Sequence, residues 1–163
     1  APPMSEGTVL QSLAGAVIAI SAELPVTYDA AGYADTGIDF TDIGKVETYG
    51  EHGLSAQIIT FTPVDTGVTE KFKGSKDYGQ MTLAVGHLPS DLGQDILAAA
   101  AESQNRYSVK IIYDLRAGET VAEKHYMDVL VSSFRYSDGD ANAIRRLNVT
   151  LDICRAPVVV AAS

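Results

Sequence analysis

The residues of this chain that could carry chemistry are few, and their spacing does not suit it. His52, His87 and His125 lie far apart, and none belongs to an H-E-x-x-H or C-x-x-C pattern, the spacings that gather imidazoles or thiolates around one metal ion. Cys154 is the single cysteine, so no disulfide closes within the chain, and it reads as a small apolar strand residue. No G-x-S-x-G nucleophile elbow is present, and neither Gly-rich phosphate cradle, G-x-x-x-x-G-K-[ST] or G-x-G-x-x-G, occurs. Asp138, Asp140 and Asn142 have the spacing of a calcium loop. Ala143, however, stands where that loop needs glycine, and Val149 where it needs a bidentate Glu, so the segment reads as a hairpin turn. Asn148-Val149-Thr150 fits a glycosylation acceptor but falls inside a predicted strand. The expectation is a protein that is not an enzyme, with no catalytic, metal-binding or cofactor-binding residue and no cofactor.

Charge narrows the partners. Twelve Lys and Arg stand against 21 Asp and Glu, a formal charge of -9. Gripping phosphates needs Lys and Arg to displace counterions, so this balance disfavours specific nucleic-acid binding. The one basic group, Lys71, Lys73 and Lys76 around Phe72, is read as meeting acids on a neighbouring subunit or water.

The elements that must position these residues are mostly strands. A chain of 163 residues with 46% apolar and 20% charged residues is sized and composed for one folded domain. Residues 1–12 read as an arm. Ala16 to Ser21 is a short β-branched run bounded by Gly15 and Pro25, and predicts a first strand. The apolar run Leu13 to Ala22 is read as mature protein, and at about ten residues it is half of the roughly twenty that a membrane helix needs. Tyr28 to Gly53 is Gly-rich loop with a short strand over Val46 to Tyr49. Leu54 to Thr62 predicts a strand, and Thr62 to Ser75 an exposed hairpin or loop. Met81, Leu83 and Val85 alternate with polar or small residues, the period of a half-buried strand. A helix is predicted over about 91–104, capped near Asp91, with Leu92, Ile96 and Ala100 as its apolar stripe. Three strands follow, Tyr107 to Leu115, Val121 to Tyr136 and Ala143 to Arg155, as an antiparallel meander. In the last, Leu147, Val149, Leu151 and Ile153 share one face and Arg146, Asn148, Thr150 and Asp152 the other. The tail VVVAAS carries a sticky valine run that a monomer would leave open to a neighbour. The fold class is an antiparallel β-sandwich or barrel with one flanking helix. Its parts are 1–22 as N-terminal arm and first strand ordered by assembly, 23–155 as the domain proper, and 156–163 as a C-terminal tail.

The order of several pieces resembles the tail tube (major tail) proteins of long-tailed bacteriophages, over roughly Pro25 to Ile153. The pieces are Thr27-Tyr28-Asp29, Phe40 to Val46, Lys71-Phe72-Lys73-Gly74-Ser75, Tyr78 to Leu83, then Asp91, Gly93, Gln94 and Leu97, and last Tyr107-Ser108-Val109-Lys110. The N-terminal arm before Glu23 and the valine tail depart from the pattern. The resemblance implies a structural subunit that assembles with itself into hexameric rings, stacked into the tail tube. The tube is an acidic conduit through which DNA passes without specific binding. It also implies tape-measure, tail-terminator and tail-tip proteins as partners, and a place in the virion after assembly in the host cytoplasm. Two loops are expected to make the inter-ring contacts: one with Thr62, Pro63, Asp65, Lys71, Phe72, Lys73 and Lys76, a second with Tyr28, Tyr33, Asp35 and Asp39. Two other readings stay open, a secreted or surface β-sandwich that recognises carbohydrate or protein, and the inner-tube protein of a contractile injection machine.

Overall fold

A computed structural model of the chain describes residues 10–34 and 37–163. Most of the predicted N-terminal arm, residues 1–9, and the loop residue Asp35 lie outside the described residues. One antiparallel sheet dominates, in the order β2 (Thr41–Asp42), β1 (Val17–Ser21), β7 (Tyr107–Ile112), β8 (Lys124–Ser137), β9 (Arg146–Ile153), β6 (Gln80–Gly86) and β3 (Val46–Thr48). β10 (Val158–Val160) adds to β8 off this path, and β4 (Ser55–Phe61) pairs only with β5 (Glu70–Asp77) in a separate two-stranded sheet. Two helices are present, α1 (Ala30–Tyr33) and α2 (Leu92–Glu102). The main sheet curls into a half-barrel.

Alternation places the core. Met81, Leu83 and Val85 of β6, Leu147, Val149 and Leu151 of β9, and Met127 and Val129 of β8 are fully buried, facing Ile18, Ile20, Val109 and Ile111. The polar partners of the same strands, Gln80, Asn148 and Thr82 among them, point away. The predicted meander β7-β8-β9 is present with the expected faces. The valine tail is not left open: Val158, Val159 and Val160 pair with Tyr126, His125 and Lys124 of the same chain.

The predicted helix is shorter than expected and is rotated. Asp91 is its N-cap, accepting from the Gln94 N–H at 3.0 Å, but Leu92 is 69% exposed while Gly93, Gln94, Leu97 and Ala100 are buried. Gly93 explains the rotation: a Cβ there would lie 2.3 Å from the Asp42 carbonyl oxygen, so this face must be the one pressed against the chain. Gln94 does not close a capping box. Its Oε1 accepts from the Leu88 N–H at 2.9 Å, and its Nε2 donates to the carbonyls of Gly44 at 3.0 Å and Gly86 at 2.9 Å. One buried amide thus joins the helix to two separate turns.

Gln94→Ala therefore strands one donor and two acceptors. It is expected to lower unfolding free energy by about 2 kcal/mol in urea titrations, whereas Asp95→Ala on the exposed face should change it by less than about 0.5 kcal/mol.

Candidate subunit interface

β4 and β5 form an arm. They follow the loop after β3 and lead through Tyr78-Gly79 straight into β6, and Gly79 takes φ 72 at the bend. The Asp77 carboxylate accepts from the Gly79 N–H at 3.0 Å, and the Gly79 carbonyl accepts from Ile153 N–H at 3.0 Å, so the root is fixed to the sheet.

Pairing sorts the arm's side chains. Ile59 lies opposite Phe72 and Phe61 opposite Glu70, so Ile59, Phe61 and Phe72 share one face. Ile58 opposite Lys73 and Thr60 opposite Lys71 share the other. A bulge between Ala56 and Ile58, where Gln57 faces both Gly74 and Ser75, resets the phase so that Lys76, opposite Ala56, joins Lys71 and Lys73. The arm therefore has an apolar face and a cationic face. On the apolar side Gly74 leaves room for Ile59, whose Cδ1 would lie 2.9 Å from a Cβ at that position.

Neither face is covered. Ile58, Ile59, Phe61 and Phe72 are each 54–60% exposed, and none of the three lysines has an ion-pair partner among the described residues. A two-stranded hairpin wet on both sides is marginal by itself, and both of its outer edges present unpaired backbone groups. The tip is nevertheless ordered by local bonds. Gly67 N–H donates to the Pro63 carbonyl at 2.9 Å, Thr66 N–H to the Asp65 carboxylate at 2.9 Å, and the Thr62 and Thr69 hydroxyls meet at 3.0 Å. All seven residues expected in the first contact loop thus lie on this one arm.

The second expected loop is built differently. Tyr33 is buried and stacked on Tyr126, with ring centroids 5.1 Å apart. Tyr28 meets Tyr33 edge-on at 6.2 Å and lies under the Arg155 guanidinium at 3.9 Å. Asp39 is exposed. Burial, with the nearby Asp128 charge, pushes the Tyr33 phenol well above its ordinary range. Asp128 is fully buried between Arg106 and Arg155, 3.3 Å from each. Burial pushes its carboxyl up although both arginines oppose the shift.

The histidines are only partly dispersed. His52 Nε2 and His125 Nδ1 lie 2.7 Å apart, tying the loop just before the arm to β8. Tyr113 packs edge-on to His125 at 4.9 Å, and Glu123 reaches its Nε2 at 3.6 Å. Separated by 73 positions, the two rings carry no sequence signal; only the folding of the loop onto β8 brings them together. Burial, then His125, lowers the His52 pKa.

No protein-family model matches the chain, and no curated protein is similar to it in sequence. Solved structures share its fold. The sheath/tube terminator of the PVC extracellular contractile injection system, in the extended state, superposes with TM-score 0.66 at 15% identity, over 95% of this chain and 99% of that one. A chain of the anti-feeding prophage baseplate gives 0.66 at 12% identity, over 96% and 97%. The SPP1 tail tube gives 0.60 at 11% identity, over 88% and 75%. The mostly β fold of the described residues therefore resembles that of tail tubes, at 11–15% sequence identity.

A histidine with a lowered folded pKa contributes stability that is present above its unfolded value, about 6.5, and is lost as pH falls through that value towards the folded one. Melting temperature is expected to fall between pH 8 and pH 5.5, and to fall less in His52→Gln, as thermal melts across that range would measure.

Proposed function

We propose that this chain is a tube subunit. Copies associate laterally into hexameric rings, and the rings stack into the tube of a phage tail or related particle. The observation that carries this reading is the β4–β5 arm, which exposes an apolar face and a cationic face and has no strand partner outside itself among the described residues. A neighbouring copy supplies what the arm lacks. The three lysines are balanced within residues 54–77 by Asp65, Glu70 and Asp77, so the whole -9 resides on the rest of the subunit. That acidic body complements the lysine face.

The end-to-end likeness to a tube terminator and the likeness to a tail tube support the same reading. The main sheet ends at the short strands β2 and β3, and lateral association would cover these open edges. The first-loop residues Thr62, Pro63, Asp65, Lys71, Phe72, Lys73 and Lys76 make the inter-ring contact. Asp39, with Asp35 and the loop held by Tyr28 and Tyr33, makes the second. The conduit wall is the polar face of β6, β9 and the far half of β8, where Thr82, Thr150 and Ser133 lie in one row and Ala84, Asn148 and Arg135 in the next. Hydroxyls and an amide share that face with Asp152, with Arg146, which Glu47 already engages, and with the exposed Arg135; so few cations limit the salt-sensitive retention of DNA, and the acidity of the subunit works in the same direction. Tape-measure, terminator and tail-tip proteins complete the particle, which is built in the host cytoplasm.

A second reading follows from the near-equal length of the chain and the contractile-system terminator. As a terminator, the protein would form a ring that binds a tube end and stops.

Negative-stain microscopy with sedimentation separates the two: extended hollow tubes are expected, isolated rings would favour the terminator, and a monomer at every concentration would oppose both. Deleting residues 62–75 should leave a folded monomer, judged by circular dichroism, that no longer sediments as an assembly. Undiminished tube formation by that variant would remove the arm from the interface.

A further inference from the structure

The arm leaves the body at the Gln80 end of β6, and a cavity of about 440 Å³ opens at the other end of the same strand. Six rises of about 3.4 Å separate the two ends, roughly 20 Å. The cavity is walled mainly by apolar atoms of Gly86, His87, Leu88 and Ile144, and Ile144 is 69% exposed. Its rim carries two cations. Arg146 is already engaged by the Glu47 carboxylate at 2.6 Å, whereas Lys45 has no ion-pair partner among the described residues.

Lys45 also sits at φ 62, the single described non-glycine residue with positive φ, a conformation that side chains disfavour. Its carbonyl accepts from the Gly86 N–H at 2.8 Å, which fixes the turn that carries Lys45 at the rim. The opposite end of the molecule offers the complement. At the arm tip Val64 is fully exposed and Val68 is 65% exposed. Between them the Asp65 carboxylate accepts from the Thr66 N–H and pairs with no cation among the described residues.

We infer that the arm tip of one copy seats in this cavity on the next copy, with Val64 and Val68 against Leu88 and Ile144, and Asp65 on Lys45. The inference rests on the self-assembly reading and names the receiving surface. A knob and a socket on different parts of one chain make a head-to-tail contact, which propagates along an axis when its rotation does not close a ring. The local bonds that already order the tip reduce the entropy lost on docking.

The test places Val64→Cys and Ile144→Cys together in a Cys154→Ser chain, oxidised mildly after assembly. A covalent ladder is expected on non-reducing gels, with the 64-to-144 peptide identified by mass spectrometry, while Ser75→Cys with Ile144→Cys stays at or below dimer. Both positions are exposed, so folding should be unaffected. Lys45→Asp should reduce assembly at least tenfold, and Lys45→Asp with Asp65→Lys should restore it. Tubes of the unmutated protein alongside unlinked 64/144 cysteines would overturn this contact and leave self-assembly standing; unmutated protein that stays monomeric throughout would remove both.

Discussion

Strand β8 is the constraint on which the rest depends. Its fourteen residues serve three partners: β7 along one edge, and on the other β10 near the start and β9 beyond it. A register shift between Val131 and Ser133, inside the β9 ladder, bends the strand. The curl of the sheet, the closure of the core on one face and the in-chain use of the valine tail all follow from that shared strand. Because every buried backbone group needs a partner, shortening β8 would leave β9 or β10 unpaired.

What the sequence shows depends on how local the cause is. Alternation at Met81, Leu83 and Val85 and at Leu147, Val149 and Leu151 reads correctly because each strand buries one face. Asp91 reads as a cap because its bond closes within three residues. The rotation of α2 does not read: it is decided by Gly93 meeting the Asp42 carbonyl, and the apolar stripe through Leu92 is misleading. Gln94 looks like a capping-box partner and instead serves Leu88, Gly44 and Gly86. The four-residue helix α1 is hidden in a Gly-rich loop, too short for any periodicity.

The arm was legible as a segment but not as a surface. Length, glycines and lysines mark residues 62–75, yet simple alternation would scatter Lys71, Lys73 and Lys76 over both faces. The bulge opposite Gln57 gathers them, and no residue type announces it. The same holds for His52 and His125, for the carboxylate of Asp128 between two arginines, and for Lys45 at positive φ. Each is created by contacts between distant parts of the chain. The aromatic residues of the second loop mislead in the other direction, since Tyr33 is spent on packing against Tyr126.

The arm's second strand continues through two residues into β6, and β6 is paired with β9 along its whole length from Gln80 to Gly86. A pull directed along β6 would act parallel to its ladder. All seven residue pairs bear that load together, in shear, whereas a pull across the strand would open them one after another. The root of the arm is thus anchored on a strand that is stiff along one direction and comparatively weak to peeling at right angles to it.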